Sequence, residues 1–170
     1  MNSSGEFASS ASTSVLKCAS RSDLWRRNNS AFSFSRSADG CALAEFRIAP
    51  LLFEAHGVSG EAAIEALLAG LRRSALPCGL IVCAMRRLPP DETLRAARLA
   101  LRYLGQGVVA FDLAGAEFGH PPGDHALALQ TARDGGLALT VHAGEADAAG
   151  RVVEALRLGA SRIGHGIRLA

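Results

Sequence analysis

Two hydrophobic patterns alternate along the chain from residue 42 onward. Between short apolar runs lie stretches in which apolar residues recur every three or four positions, the spacing of a helix that buries one face. The apolar runs have the length of strands and cover residues 42–48, 79–85, 108–112, 137–145 and 162–166. Five strands alternating with four helices predict an α/β fold with a parallel sheet and right-handed crossovers.

Residues typical of helix ends mark the predicted helices. Ser59 is a candidate N-cap of the first helix, and Pro89-Pro90 with two following acids opens the second. We expect the second helix to end at Leu104, before Gly105. The third helix starts near residues 121–124, and the fourth covers residues 147–158.

The last two helices are predicted to pack through apolar stripes. For the third helix, the stripe consists of Ala126, Leu127, Leu129 and Ala132. For the fourth helix, it consists of Val152, Val153 and Leu156.

Glu45 and Arg47 interrupt the first apolar run. Because side chains alternate along a strand, both point to the same face. That face is either the interior of a curved sheet or the exposed face of an edge strand with an ion pair to its neighbour.

The last two strands end in residues that suit hydrolytic chemistry. His142 and Glu145 follow one apolar run, and His165 follows the next. A neutral imidazole can hold a divalent metal, which lowers the pKa of a bound water from about 15.7 to about 7. A carboxylic acid can move protons to and from a substrate, and a second histidine can orient the water.

These motifs carry a family resemblance. The run His142-Ala143-Gly144-Glu145, the run Gly164-His165-Gly166 and the upstream run from Phe111 to Gly115 together resemble the adenosine deaminase family of metal-dependent hydrolases. The resemblance covers roughly residues 42–170. It implies a barrel of eight parallel strands and helices, one zinc ion, and conversion of adenosine to inosine and ammonia.

The resemblance also implies roles for four residues. His142 is similar to a zinc ligand, and Glu145 to the catalytic acid that protonates the purine ring. His165 is similar to the catalytic residue beside the attacking hydroxide, and Gly115 to the substrate-binding residue whose backbone contacts the purine. The family usually has an acid after that glycine; here Ala116 takes its place, and the next family acid is retained as Glu117.

Other polar residues have more than one interpretation. Asp112 ends its strand as catalytic carboxylates do, but capping of the loop to Gly115 is the favoured interpretation. His120 and His125 flank a double proline, where exposed loop or capping roles are expected.

Composition excludes several classes of protein. The 170 residues have a net charge of +2, and the arginines are spread over several helices, which does not favour nucleic-acid binding. No apolar run reaches the roughly 18 residues of a membrane span. The cysteines form no CxxC pair, Cys83 lies in an apolar run as a small buried side chain, and a reducing cytoplasm is expected.

Residues 1–40 differ from the predicted barrel domain, residues 41–170. They are rich in serine and arginine and poor in acids, which is typical of a disordered leader, with an organellar targeting segment as the alternative.

The length is below the roughly 250 residues of a complete eight-stranded barrel, and the chain has no His-x-His pair for the family's zinc site. We therefore expect a partial barrel from a larger deaminase of adenosine or a related aminopurine. The alternatives are an inactive remnant that acts by self-association through open sheet edges, and a different metal hydrolase on the same barrel.

Overall fold

The computed structural model describes residues 40–169 as five strands alternating with four α-helices. The leader expected in residues 1–40 lies outside this described part except for Gly40. The strands are β1 (Ala44–Ile48), β2 (Cys78–Met85), β3 (Val108–Ala114), β4 (Ala138–Ala143) and β5 (Arg162–His165). The helices are α1 (Gly60–Leu71), α2 (Pro90–Leu101), α3 (Ala126–Asp134) and α4 (Gly150–Arg157). Short 3-10 segments cover Pro50–His56, Pro122–His125 and Ile167–Leu169.

The strands form one parallel sheet whose spatial order is the order of the chain. Glu45 on β1 forms an ion pair with Arg162 on β5, although these are the two edge strands. In a flat sheet the edge strands would lie about 19 Å apart, four times the spacing of neighbouring strands. The sheet is therefore curled into a half-barrel, and the predicted partial α/β barrel is confirmed.

The core lies between the convex face of the sheet and the helices. Strand β2 is buried along nearly its whole length, and Ile64, Phe111 and Leu129 are fully buried. Continuous apolar runs form such strands because both faces of the sheet are covered. Cys83 is 5% exposed and is a small buried side chain, as predicted.

Strand β1 places its polar side chains on the concave face. Phe46 and Ile48 pack into the core, whereas Glu45 and Arg47 pair with residues of other strands inside the half-barrel. Their partners lie on β3 and β5 and not on the neighbouring β2, as the interior interpretation predicts, although β1 is an edge strand of the described sheet and both side chains are exposed.

The helix boundaries and faces differ in part from the prediction. Helix α2 ends at Leu101, because Leu104 already bridges to Val108 at the start of β3. Leu127, Val153 and Leu156 were expected to be buried, but all three are exposed. The helices contact the sheet through a narrower stripe that consists mainly of small side chains: Ala128, Leu129, Ala132, Val152 and Ala155.

No helix within residues 40–169 has both the length and the apolar character needed to cross a membrane.

Candidate active site

His142, Glu145 and His165 meet at the carboxyl edge of the sheet. The register of β4 and β5 pairs Ala143 with His165, which brings the ends of the two strands together. The ring centroids of His142 and His165 lie 5.2 Å apart, and Glu145 Oε2 lies 3.3 Å from His165 Nε2. The sequence prediction that these three side chains gather in one place is consistent with this geometry.

His165 adopts a backbone conformation that side chains usually avoid. Its φ of 67° is the one positive value of a non-glycine residue within residues 40–169. The left-handed region costs an ordinary residue about 1–2 kcal/mol. A Cβ at the preceding Gly164 would lie 2.9 Å from the His142 ring, so the two strand ends are closely packed. Such strain is typical of functional sites.

Three polar side chains of different strands are joined inside the half-barrel. Asp112 Oδ2 lies 2.7 Å from Arg47 Nε, and its Oδ1 lies 3.1 Å from His142 Nδ1. Arg47 Nη1 also lies 3.3 Å from His142 Nε2. Asp112 is fully buried and was expected to cap the loop to Gly115. That interpretation is wrong, because its carboxylate pairs with side chains of β1 and β4 instead.

A complete zinc site does not fit the described residues. A catalytic zinc needs three protein ligands and an open position. Within residues 40–169 no three histidine, cysteine, aspartate or glutamate side chains are grouped so that they could hold a metal. Asp112 at Nδ1 leaves Nε2 as the ring nitrogen of His142 that could face a metal, an arrangement that is common for metal-binding histidines. The described residues therefore do not form a complete zinc site.

Sequence reasoning missed Arg86, the largest fully buried side chain of the described part. Its guanidinium donates to the carbonyl oxygens of His142, of Leu113 at 3.3 Å and of His120 at 3.4 Å. Burial lowers the pKa of Arg86, and the nearby carboxylates of Glu117 and Asp112 oppose this effect. Arg86 therefore ties the ends of β3 and β4 together.

His125 is buried beside Arg86 and does not occupy the exposed position that was expected. Its Nε2 lies 2.9 Å from the carbonyl oxygen of Arg86, while its Nδ1 has no hydrogen-bond partner in the described part of the chain. Burial lowers the pKa of His125, although the hydrogen bond to Arg86 opposes this effect. Through this hydrogen bond His125 holds the backbone of Arg86, the residue that follows β2.

Gly115 and Glu117 lie in the loop after β3. Gly115 has a φ of 96°, and a Cβ there would lie 3.1 Å from Met85 Cε, so glycine suits this turn. Glu117 is 4% exposed and accepts hydrogen bonds from backbone N–H groups of the loop that carries Glu145. The Gly115 loop is thereby joined to the Glu145 loop.

A signal in the sequence existed for each of the missed residues. Arg86 directly follows the apolar strand β2, and Glu117 is the retained acid of the family motif. A charged residue at either position is read as solvent-exposed unless its partner, distant in sequence, is known.

A match to a known protein family shows which family the chain belongs to. The model of the family described as adenosine deaminase matches residues 8–170. The chain belongs to the adenosine deaminase family. The resemblance deduced from the motifs is confirmed.

Individual members of the family agree with this assignment. An adenosine deaminase of Mycobacterium ulcerans is 38% identical over 143 residues, which cover 78% of this chain and 39% of that protein. The chain therefore spans about two fifths of the length of the curated relatives it matches.

Solved structures show the same fold. An amidohydrolase from Burkholderia ambifaria with bound zinc has a TM-score of 0.78 at 25% identity, covering 86% of this chain and 42% of that one. An adenine deaminase from Arthrobacter aurescens has a TM-score of 0.71 at 28% identity, covering 86% of this chain and 45% of that one. The half-barrel thus corresponds to a little under half of each of these enzymes.

Proposed function

We propose that this chain contributes proton-transfer residues to the hydrolytic deamination of adenosine or a related aminopurine. The reaction adds water to the purine carbon that bears the amino group and releases ammonia, so adenosine becomes inosine. The observation that supports this proposal most directly is the pair of Glu145 and His165, 3.3 Å apart, beside His142 at one edge of the sheet.

Each residue has a separate task in this proposal. Glu145 donates a proton to the ring nitrogen next to the reacting carbon, which makes that carbon easier to attack. His165 orients the attacking water and accepts its hydrogen bond. Gly115 contacts the purine through its backbone, which the missing side chain leaves accessible. The side chains of Glu145 and His165 are 56% and 38% exposed, so a substrate can reach them.

Zinc is the metal that the proposal requires. His142 is the ligand this chain contributes, through Nε2, and Arg47 Nη1 would have to move away from that atom. Residues 40–169 contain no group of three side chains that could hold the ion, so at least one further ligand would come from outside them. We propose the cytoplasm as the compartment, because Cys41, Cys78 and Cys83 are free thiols.

The test is deamination by the purified 170-residue chain, with zinc measured on the same sample. Adenosine, adenine and AMP are offered separately, and ammonia release is followed. Because residues 40–169 do not form a complete zinc site, turnover needs ligands from outside these residues, such as a second copy of the chain. Any turnover should require zinc and fall at least 100-fold in Glu145→Gln, since a positioned general acid contributes about 10²–10⁴. Glu154→Gln, a change outside the site, is the control. Zinc-dependent turnover that survives Glu145→Gln would contradict the role of Glu145.

A second function is favoured by the edges of the sheet. Strands β1 and β5 each pair with one neighbouring strand within residues 40–169, so they are the edge strands of the described sheet. We propose that these edge strands pair with strands of a second copy of the chain. In this alternative the chain acts by self-association and does not deaminate a substrate. Light scattering coupled to size exclusion tests this: a concentration-dependent dimer without turnover supports it, and a monomer at all concentrations contradicts it.

A further inference from the structure

Glu117 forms an unusual set of hydrogen bonds with the loop after β4. Its Oε1 accepts from the N–H of Gly144 at 2.5 Å. Its Oε2 accepts from Glu145 at 2.9 Å, Ala146 at 2.7 Å and Asp147 at 3.1 Å. Four successive N–H groups thus converge on one carboxylate, the arrangement by which a backbone concavity binds an anion.

The carbonyl side of the same loop is held from the opposite direction. The backbone N–H of Arg168 donates to the carbonyl oxygen of Gly144 at 3.1 Å. The side-chain Nε of Arg168 donates to the carbonyl oxygen of Glu145 at 3.3 Å. Gly144 has a φ of 71°, and a Cβ there would lie 2.7 Å from Val152 Cγ2. The backbone on both sides of Glu145 is therefore fixed, although its side chain is exposed.

The hydrogen bonds to Glu117 favour its ionised form. Burial would raise the pKa of its carboxyl, but the four N–H donors outweigh that effect and lower it below the ordinary 4.5. Charge-assisted hydrogen bonds are stronger than neutral ones. The four N–H groups of residues 144–147 are all donors, and an ionised carboxylate can accept from them through both of its oxygens.

We propose that Glu117 is a positioning residue that holds the loop of residues 144–147 in one conformation and thereby aims Glu145 at His165. This inference rests on the proposed function only for its consequence in catalysis. The ordering of the loop is measurable whether or not the chain turns over a substrate.

The test is amide hydrogen exchange of residues 144–147 in Glu117→Gln. Glutamine has the same shape but offers one acceptor oxygen and a donor NH₂ group, so at least one of the four bonds is lost, and the negative charge that strengthens the others is removed. We expect exchange of these amides to accelerate at least tenfold. The amides of Leu139 and Val141 inside β4 should keep their rates, because the sheet is unchanged.

Glu154→Gln is the matched control. Glu154 also accepts a backbone hydrogen bond, from Gly123 at 2.9 Å. Its other partner is Arg151, which also pairs with Asp147, so the control is compared with Glu117→Gln at the amides of residues 144–146. Unchanged exchange at residues 144–147 in folded Glu117→Gln would overturn the proposal, and so would equal acceleration throughout β4. If Glu117→Gln does not fold, Glu117→Asp is measured instead, where the retracted carboxylate should still accelerate exchange of the loop selectively.

A kinetic measurement adds the catalytic consequence. In a sample that deaminates adenosine, we expect Glu117→Gln to lower kcat at least tenfold while KM changes less than threefold, because the substrate contacts remain. Without wild-type turnover the proposed function fails, while the exchange experiment still decides whether Glu117 orders the loop.

Discussion

The buried floor of the site and its exposed rim contrast sharply. The floor, defined as Arg86, Asp112 and Glu117, consists of charged side chains with 1%, 0% and 4% exposure. The rim, defined as Glu145 and His165, has side chains that are 56% and 38% exposed. Buried charges are stable only with partners, whereas exposed ones need none. The difference teaches that the floor maintains the structure and leaves the rim accessible to a substrate.

The largest effect on stability is expected for Arg47→Ala. This change leaves the fully buried Asp112 without its cation, and breaking a buried pair costs about 3–5 kcal/mol. Because Arg47 is 41% exposed, we expect about 3 kcal/mol, measured by urea unfolding. Glu45→Ala on the same strand is the matched control. Its partner Arg162 is exposed, so a loss of at most about 1 kcal/mol is expected. Equal losses in both variants would show that the burial of Asp112 does not determine the cost of losing its partner.

A smaller effect should come from protonation of His125, which contacts Arg86 of the floor. Burial lowers the pKa of His125 below its ordinary 6.5, so the unfolded chain binds this proton at higher pH than the folded chain does. The stabilising contribution of neutral His125 is therefore fully present above pH 6.5, and the free energy of unfolding decreases as the pH falls below that value. The slope from one group is at most about 1.4 kcal/mol per pH unit.

Thermal unfolding between pH 7.5 and pH 5 measures this dependence. His125→Gln should reduce the decrease, since the glutamine amide can still donate to the Arg86 carbonyl without binding a proton. His56→Gln changes an exposed histidine and should leave the decrease in place. A wild-type pH dependence that persists in His125→Gln would assign it to another group.

The smallest effect is expected at the rim. Glu145→Gln should change the free energy of unfolding by less than about 0.5 kcal/mol, because its exposed side chain is solvated in both states. Urea unfolding of this variant beside Arg47→Ala sharpens the comparison. A loss above 1.5 kcal/mol would place Glu145 among the structural residues.

Local patterns in the sequence predicted the strands and the rim. Buried parallel strands are continuous apolar runs, and glycines mark the turns that follow His142 and His165. The strands and the two histidines could therefore be found from the sequence. Periodicity failed for Val153 and Leu156, which are exposed beside the buried Val152 and Ala155. Four apolar residues within five positions surround more than half of a helix, and only the tertiary structure selects the face.

The floor could not be predicted in the same way. Asp112 pairs with Arg47 across 65 residues of sequence, and Arg86 reaches the carbonyl of His142 across 56. Such partners are defined by the curvature of the sheet, which no local pattern encodes. Glu117 was noted only as a motif residue, since its four donors belong to a loop about 28 residues later.

The agreement between spatial and sequential strand order affects how the chain folds. Each strand pairs with the one before it, so loops to be closed are short and the folding barrier is low for a parallel sheet. Of the contacts described above, those of Glu45 with Arg162 and of Arg47 with His142 are the longest in sequence and span 117 and 95 residues. We expect these to form last, so variants there should accelerate unfolding while leaving the folding rate nearly unchanged.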